Sequence, residues 1–120
     1  MKIAILGAGL LGSLIARELI AENRDVIIIE KNPNTAKSVA NDLDCIVHEG
    51  DGEHIDTLVS AGVEGADWFI ACTGSDETNI VSCGMVAETF PHVKTIARTR
   101  NPYFASFKNS EKRILGVDRI

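Results

Sequence analysis

Met1-Lys2-Ile3-Ala4-Ile5-Leu6-Gly7-Ala8-Gly9-Leu10-Leu11-Gly12 opens the chain, and its reading decides the fold. An apolar strand, Ile3 to Leu6, runs directly into Gly7-x-Gly9-x-x-Gly12, and a helical pattern follows at once. A second apolar run ends in Glu30, about twenty residues beyond the glycines, the spacing of a dinucleotide-binding βαβ unit. Each part has a mechanical task. Gly7 permits the tight strand-to-helix turn, Gly9 lets backbone approach a pyrophosphate, and Gly12 lets the helix pack closely on the strand. The helix N-terminus offers unpaired N–H groups and a positive dipole end to phosphates. Glu30 is placed to accept hydrogen bonds from ribose hydroxyls.

Working outward, 120 residues make one domain, 1–120, large enough to bury a core. Apolar residues form 45% of the chain and charged ones 24%, a globular composition. The net charge of −5 gives no diffuse electrostatic grip on nucleic acid or anionic lipid. No apolar run approaches the roughly 20 residues that a bilayer-spanning helix needs, so direct membrane insertion is not expected. Met1 leads straight into a strand, without the pattern of a secretory signal. Cys45, Cys72 and Cys83 form no Cys-x-x-Cys pair and suit buried thiols in a reducing, cytoplasmic compartment. His48, His54 and His92 share no metal-like spacing and read as surface residues.

Short apolar runs alternate with helical patterns along the chain. Strands are expected at Lys2–Leu6, Asp25–Glu30, Cys45–Glu49, Trp68–Cys72 and Thr95–Arg98, with a possible sixth at Leu115–Asp118. Leu14, Ile15, Leu19 and Ile20 give the first helix its apolar stripe. Pro33, Ala36, Val39, Ala40 and Leu43 mark a second, with proline in its first turn. Ile55, Leu58 and Val59 mark a third, closed by Gly62. Ser75-Asp76-Glu77 starts a fourth, with a capping hydroxyl and two acids at the positive end, running to about Thr89. Pro102 opens a fifth. The strands are nearly continuous apolar runs, so both sheet faces are covered. The expected fold class is α/β, a Rossmann-like doubly wound parallel sheet of order 3-2-1-4-5, with the sixth strand at its edge if present.

Ligands of such sheets lie outside the carboxyl ends of the strands. Strand three ends in Gly50-Asp51-Gly52, where Asp51 can accept from an exocyclic amine such as that of adenine, or simply make a turn. Thr73 and Gly74 can meet ribose or pyrophosphate at the end of strand four. Arg98 can clamp phosphate with its planar fork, or pair with a nearby acid. Asp76 and Glu77 read as helix-start acids, and Trp68 and Phe69 as the start of a buried strand.

The motifs Gly50-Asp51-Gly52, Ala61-Gly62-Val63, Ala66-Asp67, Phe69-Ile70-Ala71-Cys72-Thr73, Ser75-Asp76-Glu77-Thr78-Asn79 and Ile96-Ala97-Arg98-Thr99-Arg100-Asn101-Pro102-Tyr103 resemble the RCK (KTN) domains. The likeness covers essentially the whole chain and is strongest to the N-terminal nucleotide-binding domain of TrkA-type regulatory subunits of bacterial Trk potassium uptake. It implies regulation without catalysis: a domain binding NAD(H), or ADP or ATP, in a cytoplasmic homo-oligomer. Such assemblies lie peripherally at the inner face of the membrane, against a TrkH-like potassium-translocating subunit. On this resemblance Gly7, Ala8, Gly9, Leu10 and Leu11 hold the pyrophosphate and Glu30 the adenosine ribose. Thr73 and Gly74 line the pocket, and Arg98 reaches the phosphates. The Ktr branch carries an arginine between the second and third glycines; Leu10 and Leu11 stand here, which argues against strong ATP-specific recognition. Subunits of the family carry further domains, so a chain stopping at Ile120 is expected to be a fragment or a short member.

The competing function is the cofactor-binding domain of an NAD-dependent oxidoreductase. Tyr103 has Phe107 four positions on, so the Tyr-x-x-x-Lys pair of short-chain dehydrogenases is missing, and no His-Asp pair is placed by sequence for acid–base work. A purely structural module leaves the glycine fingerprint unexplained. Phe104 and Phe107, three apart on one helical face, can form an apolar patch for self-association or can pack on the sheet.

Overall fold

A computed structural model describes residues 1–105. Strands β1 (Lys2–Leu6), β2 (Asp25–Glu30), β3 (Ile46–Glu49), β4 (Trp68–Ala71) and β5 (Lys94–Ala97) form one parallel sheet of order β3-β2-β1-β4-β5. Helices α1 (Leu10–Ala21), α2 (Pro33–Asp42), α3 (Ile55–Ser60) and α4 (Asp76–Thr89) connect them, and α5 (Pro102–Ala105) follows β5. The possible sixth strand, Leu115–Asp118, and Phe107 lie outside the described residues.

The alternation of side chains along β1 explains both layers. Ile3 and Ile5 join Val26 and Ile28 on one face, under Ala16 of α1 and Val39 and Leu43 at the end of α2. Ala4 and Leu6 join Ile29 and Phe69 on the other, under Leu58 of α3 and Ile80, Cys83 and Val86 of α4. A strand buried on both faces has no polar side to show, hence its unbroken apolar run. Phe104 packs against the second cluster, the alternative to a free patch.

The helix ends follow local chemistry. Asn32 caps α2, its Oδ1 accepting from the Asn34 and Thr35 N–H groups at 2.9 and 3.1 Å, with proline in the first turn. Gly62, at φ +84°, takes the left-handed turn that follows α3. Four strand boundaries differ from the expected ones by a residue: β3 starts at Ile46, β4 stops at Ala71, and β5 runs Lys94–Ala97, shifted at both ends. Cys72 and Arg98 still donate to Leu6 O and Ala71 O, at 2.8 and 2.9 Å, but as the last bonds before the chains diverge.

Leu14 is a correction. It is 54% exposed, because Gly12 and Ala16 take the sheet-facing positions of α1 and turn Leu14 outward. Gly7, at φ +100°, makes the turn. A Cβ on Gly12 would run into the carbonyl oxygen of Gly7, so the close approach is to the turn itself, with the β1 residue Ile5 a further 3.7 Å neighbour. Gly12→Ala is therefore expected to destabilise the domain by about 3 kcal/mol, the upper range for overpacking against atoms that cannot yield. Thermal melting checks this, and a wild-type midpoint would show that the turn can shift.

Candidate functional site

A cleft of about 830 Å³ opens at the carboxyl ends of β1 and β4, beside the glycine turn. Gly7, Gly9, Leu10 and Leu11 form one wall, Glu30 and Asp51 a second, and Thr73, Gly74 and Arg98 a third. Of the residues the sequence singles out, only Ala8 and Gly12 stand outside this lining.

The two helix N-termini at the cleft are prepared differently. Gly9 caps α1 without any side-chain bond, leaving the first-turn N–H groups and the positive dipole end open to an anion. At α4 a side chain takes one of the corresponding N–H groups. Ser75 Oγ accepts from the Thr78 N–H at 3.1 Å. The Asp76 carboxylate accepts from the Arg100 and Asn101 N–H groups at 2.8–3.0 Å. Asp76 is thus a helix-start acid that also pins the turn after β5.

Glu30 is fixed at both oxygens. Oε1 accepts from the Ala8 N–H at 2.7 Å and Oε2 from the Asn32 N–H at 2.8 Å. The Ala8 N–H therefore points at Glu30 and not into the cleft. Each carboxylate oxygen keeps a second acceptor site, so the group can still take two hydroxyls. Asp51 is held below the usual carboxylate range, first by the N–H of Glu53 and then by Lys31 and His54, each 3.7 Å away. It is therefore an anion, able to accept from an amine.

The third wall is tied together from inside. Thr73 donates its N–H and hydroxyl to Asn79 Oδ1, at 2.9 and 2.7 Å. Asn79 is fully buried, and sequence reading did not select it as a site residue. The available signal was its place on the sheet-facing stripe of α4 with Cys83 and Val86, where a polar side chain must find partners. Arg100, Lys31, Glu53 and Thr78 also reach the lining. Glu53 and Thr78 meet across the floor, the Thr78 hydroxyl donating to Glu53 Oε1 at 2.6 Å. His54 is exposed, and the Nε2 of His92 donates to Glu64 O at 2.6 Å. Among the described residues no group of His, Cys, Asp and Glu could hold a metal ion.

Burial pushes the Cys72 thiol up to about 11, against a smaller opposing effect of Arg98. The folded state favours the neutral thiol, so this stabilisation is complete below the ordinary thiol value of 9.0 and lost as pH rises through about 11. Unfolding free energy is expected to decline across that window, and less steeply in Cys72→Ala. Equal slopes from denaturant titrations of the two proteins would show that Cys72 contributes nothing.

A doubly wound parallel sheet with an open helix N-terminus under a glycine turn, and an acid at the end of its second strand, defines the class of Rossmann-type domains. The particular family is shown by comparison: the chain belongs to the TrkA-N domain family, whose model matches residues 3–120. It is 36% identical over 110 residues to the Trk system potassium uptake protein TrkA of Vibrio alginolyticus, covering 92% of this chain and 24% of that protein. It is 37% identical over 121 residues to a TrkA homologue of Methanothermobacter thermautotrophicus, covering 100% of this chain and 53% of that protein. The chain thus spans between about a quarter and about half of these relatives. Among solved structures, the GsuK RCK domain aligns with TM-score 0.79 at 27% identity, over 98% of this chain and 24% of that one. The TrkA-N domain of the Escherichia coli inner membrane protein ybaL aligns with TM-score 0.85 at 17% identity, over 98% and 84%, a likeness of fold.

Proposed function

We propose that this chain is the nucleotide-binding regulatory domain of a Trk-type potassium uptake system. It takes NAD(H), or ADP or ATP, into the cleft. Occupancy alters packing within a homo-oligomer, which acts on a TrkH-like potassium-translocating subunit at the inner face of the membrane. Membership of the TrkA-N family supports the setting. The observation that carries the ligand is the open N-terminus of α1 beside a fixed carboxylate at Glu30, an anion site on one wall and a diol site on the next. A GsuK channel bound to NAD, 20% identical, shares the fold with TM-score 0.83. No described helix is long and apolar enough to cross a membrane.

In the oxidoreductase alternative, a group must move a proton beside the hydride acceptor. The described lining holds no histidine or tyrosine, and Tyr103 is 65% exposed on α5. The relatives' names, Trk system potassium uptake proteins, favour a sensor. Calorimetric titration with NAD⁺, NADH, ADP and ATP tests the binding, and turnover on a panel of alcohols and hydroxy acids tests the alternative. Saturable binding without turnover is expected. Absence of binding to all four nucleotides would overturn the reading, and turnover would replace it by the enzyme.

A further inference from the structure

The third wall of the cleft contains two polar contributors on different strands, and one buried side chain spans them. Past Ala71 and Ala97 the parallel ladder ends, its last bond running from the Arg98 N–H to Ala71 O. Beyond that point Asn79 takes over. Its Oδ1 accepts from the Thr73 N–H and hydroxyl, and its Nδ2 donates to Thr73 O at 3.2 Å and to Arg98 O at 2.9 Å. The amide orientation is forced, because a backbone N–H can only donate and the two carbonyls can only accept. Both amide protons and both acceptor sites are engaged, and none of the side chain is exposed. Three residues earlier on the same turn of α4, Asp76 holds Arg100 and Asn101. Thr73, Arg98 and Arg100 all line the cleft, whereas Asn79 does not reach it.

We propose that Asn79 is a positioning residue of the nucleotide cleft: acting through Thr73 and Arg98, it sets the gap between the turn after β4 and the end of β5 into which the phosphate-bearing part of the ligand fits. This rests on the reading of the cleft as a nucleotide site. Its chemistry needs an amide. A carboxylate keeps the shape and the acceptors for Thr73 but turns an oxygen towards two carbonyl oxygens, so it pushes the end of β5 away. A network in which every member is satisfied holds one geometry, and that geometry is lost when one member changes sign.

The test is a cycle read with ADP. Asn79→Asp is expected to weaken ADP about tenfold in the otherwise wild-type domain and less than twofold in a Thr73→Val, Arg98→Ala background. In that background the ligand-facing side chains it positions are gone, while the glycine turn and Glu30 still hold ADP measurably by NMR titration. A residue that merely stabilised the fold would cost the same in both. Equal costs, or no cost in the first, would overturn the proposal. Should Asn79→Asp fail to fold, the wild type still decides. If occupancy and the Asn79 bridge support each other, ADP must slow exchange of the Asn79 Nδ2 protons, and an unchanged rate would overturn the proposal. If the wild type binds none of NAD⁺, NADH, ADP and ATP, the nucleotide reading falls and takes this inference with it. If it binds and the cycle is flat, only the role of Asn79 falls.

Discussion

Gly9→Val is expected to abolish nucleotide binding in a domain that stays folded. A Cβ built at Gly9 meets nothing within 4 Å, and the residue sits at φ −70°, which valine adopts without strain. Valine is a poor helix cap, so a stability loss of about 1 kcal/mol is expected and no more. The open space is the mouth of the cleft, where on the proposed function a pyrophosphate comes against the first-turn N–H groups of α1. Two methyl groups there hold the phosphates off those donors. The expected loss in affinity is 100-fold or more, about 2.8 kcal/mol at the 1.4 kcal/mol per decade of binding. Calorimetry with NADH measures it, and melting confirms the fold. Wild-type affinity in the folded variant would remove the pyrophosphate assignment from the glycine turn. The contrast with Gly12→Ala is instructive: one glycine faces open space at the cleft and the other a carbonyl oxygen of the protein itself.

The second large effect is discrimination against NADP(H). A 2′-phosphate beside Glu30 meets a carboxylate and removes a hydroxyl donor, together worth roughly 2–4 kcal/mol at a half-buried site. That is about 30- to 1000-fold in dissociation constant. The carboxylate cannot swing aside at no cost, because the Ala8 and Asn32 N–H groups hold both of its oxygens. Lys31, the nearby source of compensating charge, is drawn towards Asp51 and is largely exposed. Parallel titrations with NADH and NADPH check this, and Glu30→Gln should narrow the gap. Equal constants for the two cofactors in the wild type would show that Glu30 does not face the ribose.

The sheet was legible because its signal is redundant. Burial on both faces writes each strand as a solid apolar run, and the glycine turn selects the strand order. The stripe of α1 was less legible. A hydrophobic count favours Leu14 over Gly12, yet close approach to the turn at Gly7 demands the smaller residue, and Leu14 is left at the rim. The strand-end residues of the cleft could be found, since a doubly wound sheet puts its ligands there. What joins those ends could not. Asn79 acts on Thr73 and on the carbonyl of Arg98, and Asp76 on backbone N–H groups beyond β5. Backbone partners have no letter in a sequence, so an acid at a helix start looks the same whether it only complements the dipole or also holds a loop.

The bond between Glu30 and the Ala8 N–H bears on how this domain can change over time. The same carboxylate proposed to meet the ligand also completes the glycine turn, so its replacement leaves a backbone donor of the turn without its acceptor. A lineage drifting towards a phosphorylated cofactor would meet a loss of stability before any gain in affinity. A designer has the same order of steps to follow: first supply a new acceptor for the Ala8 N–H, and only then remove the acid.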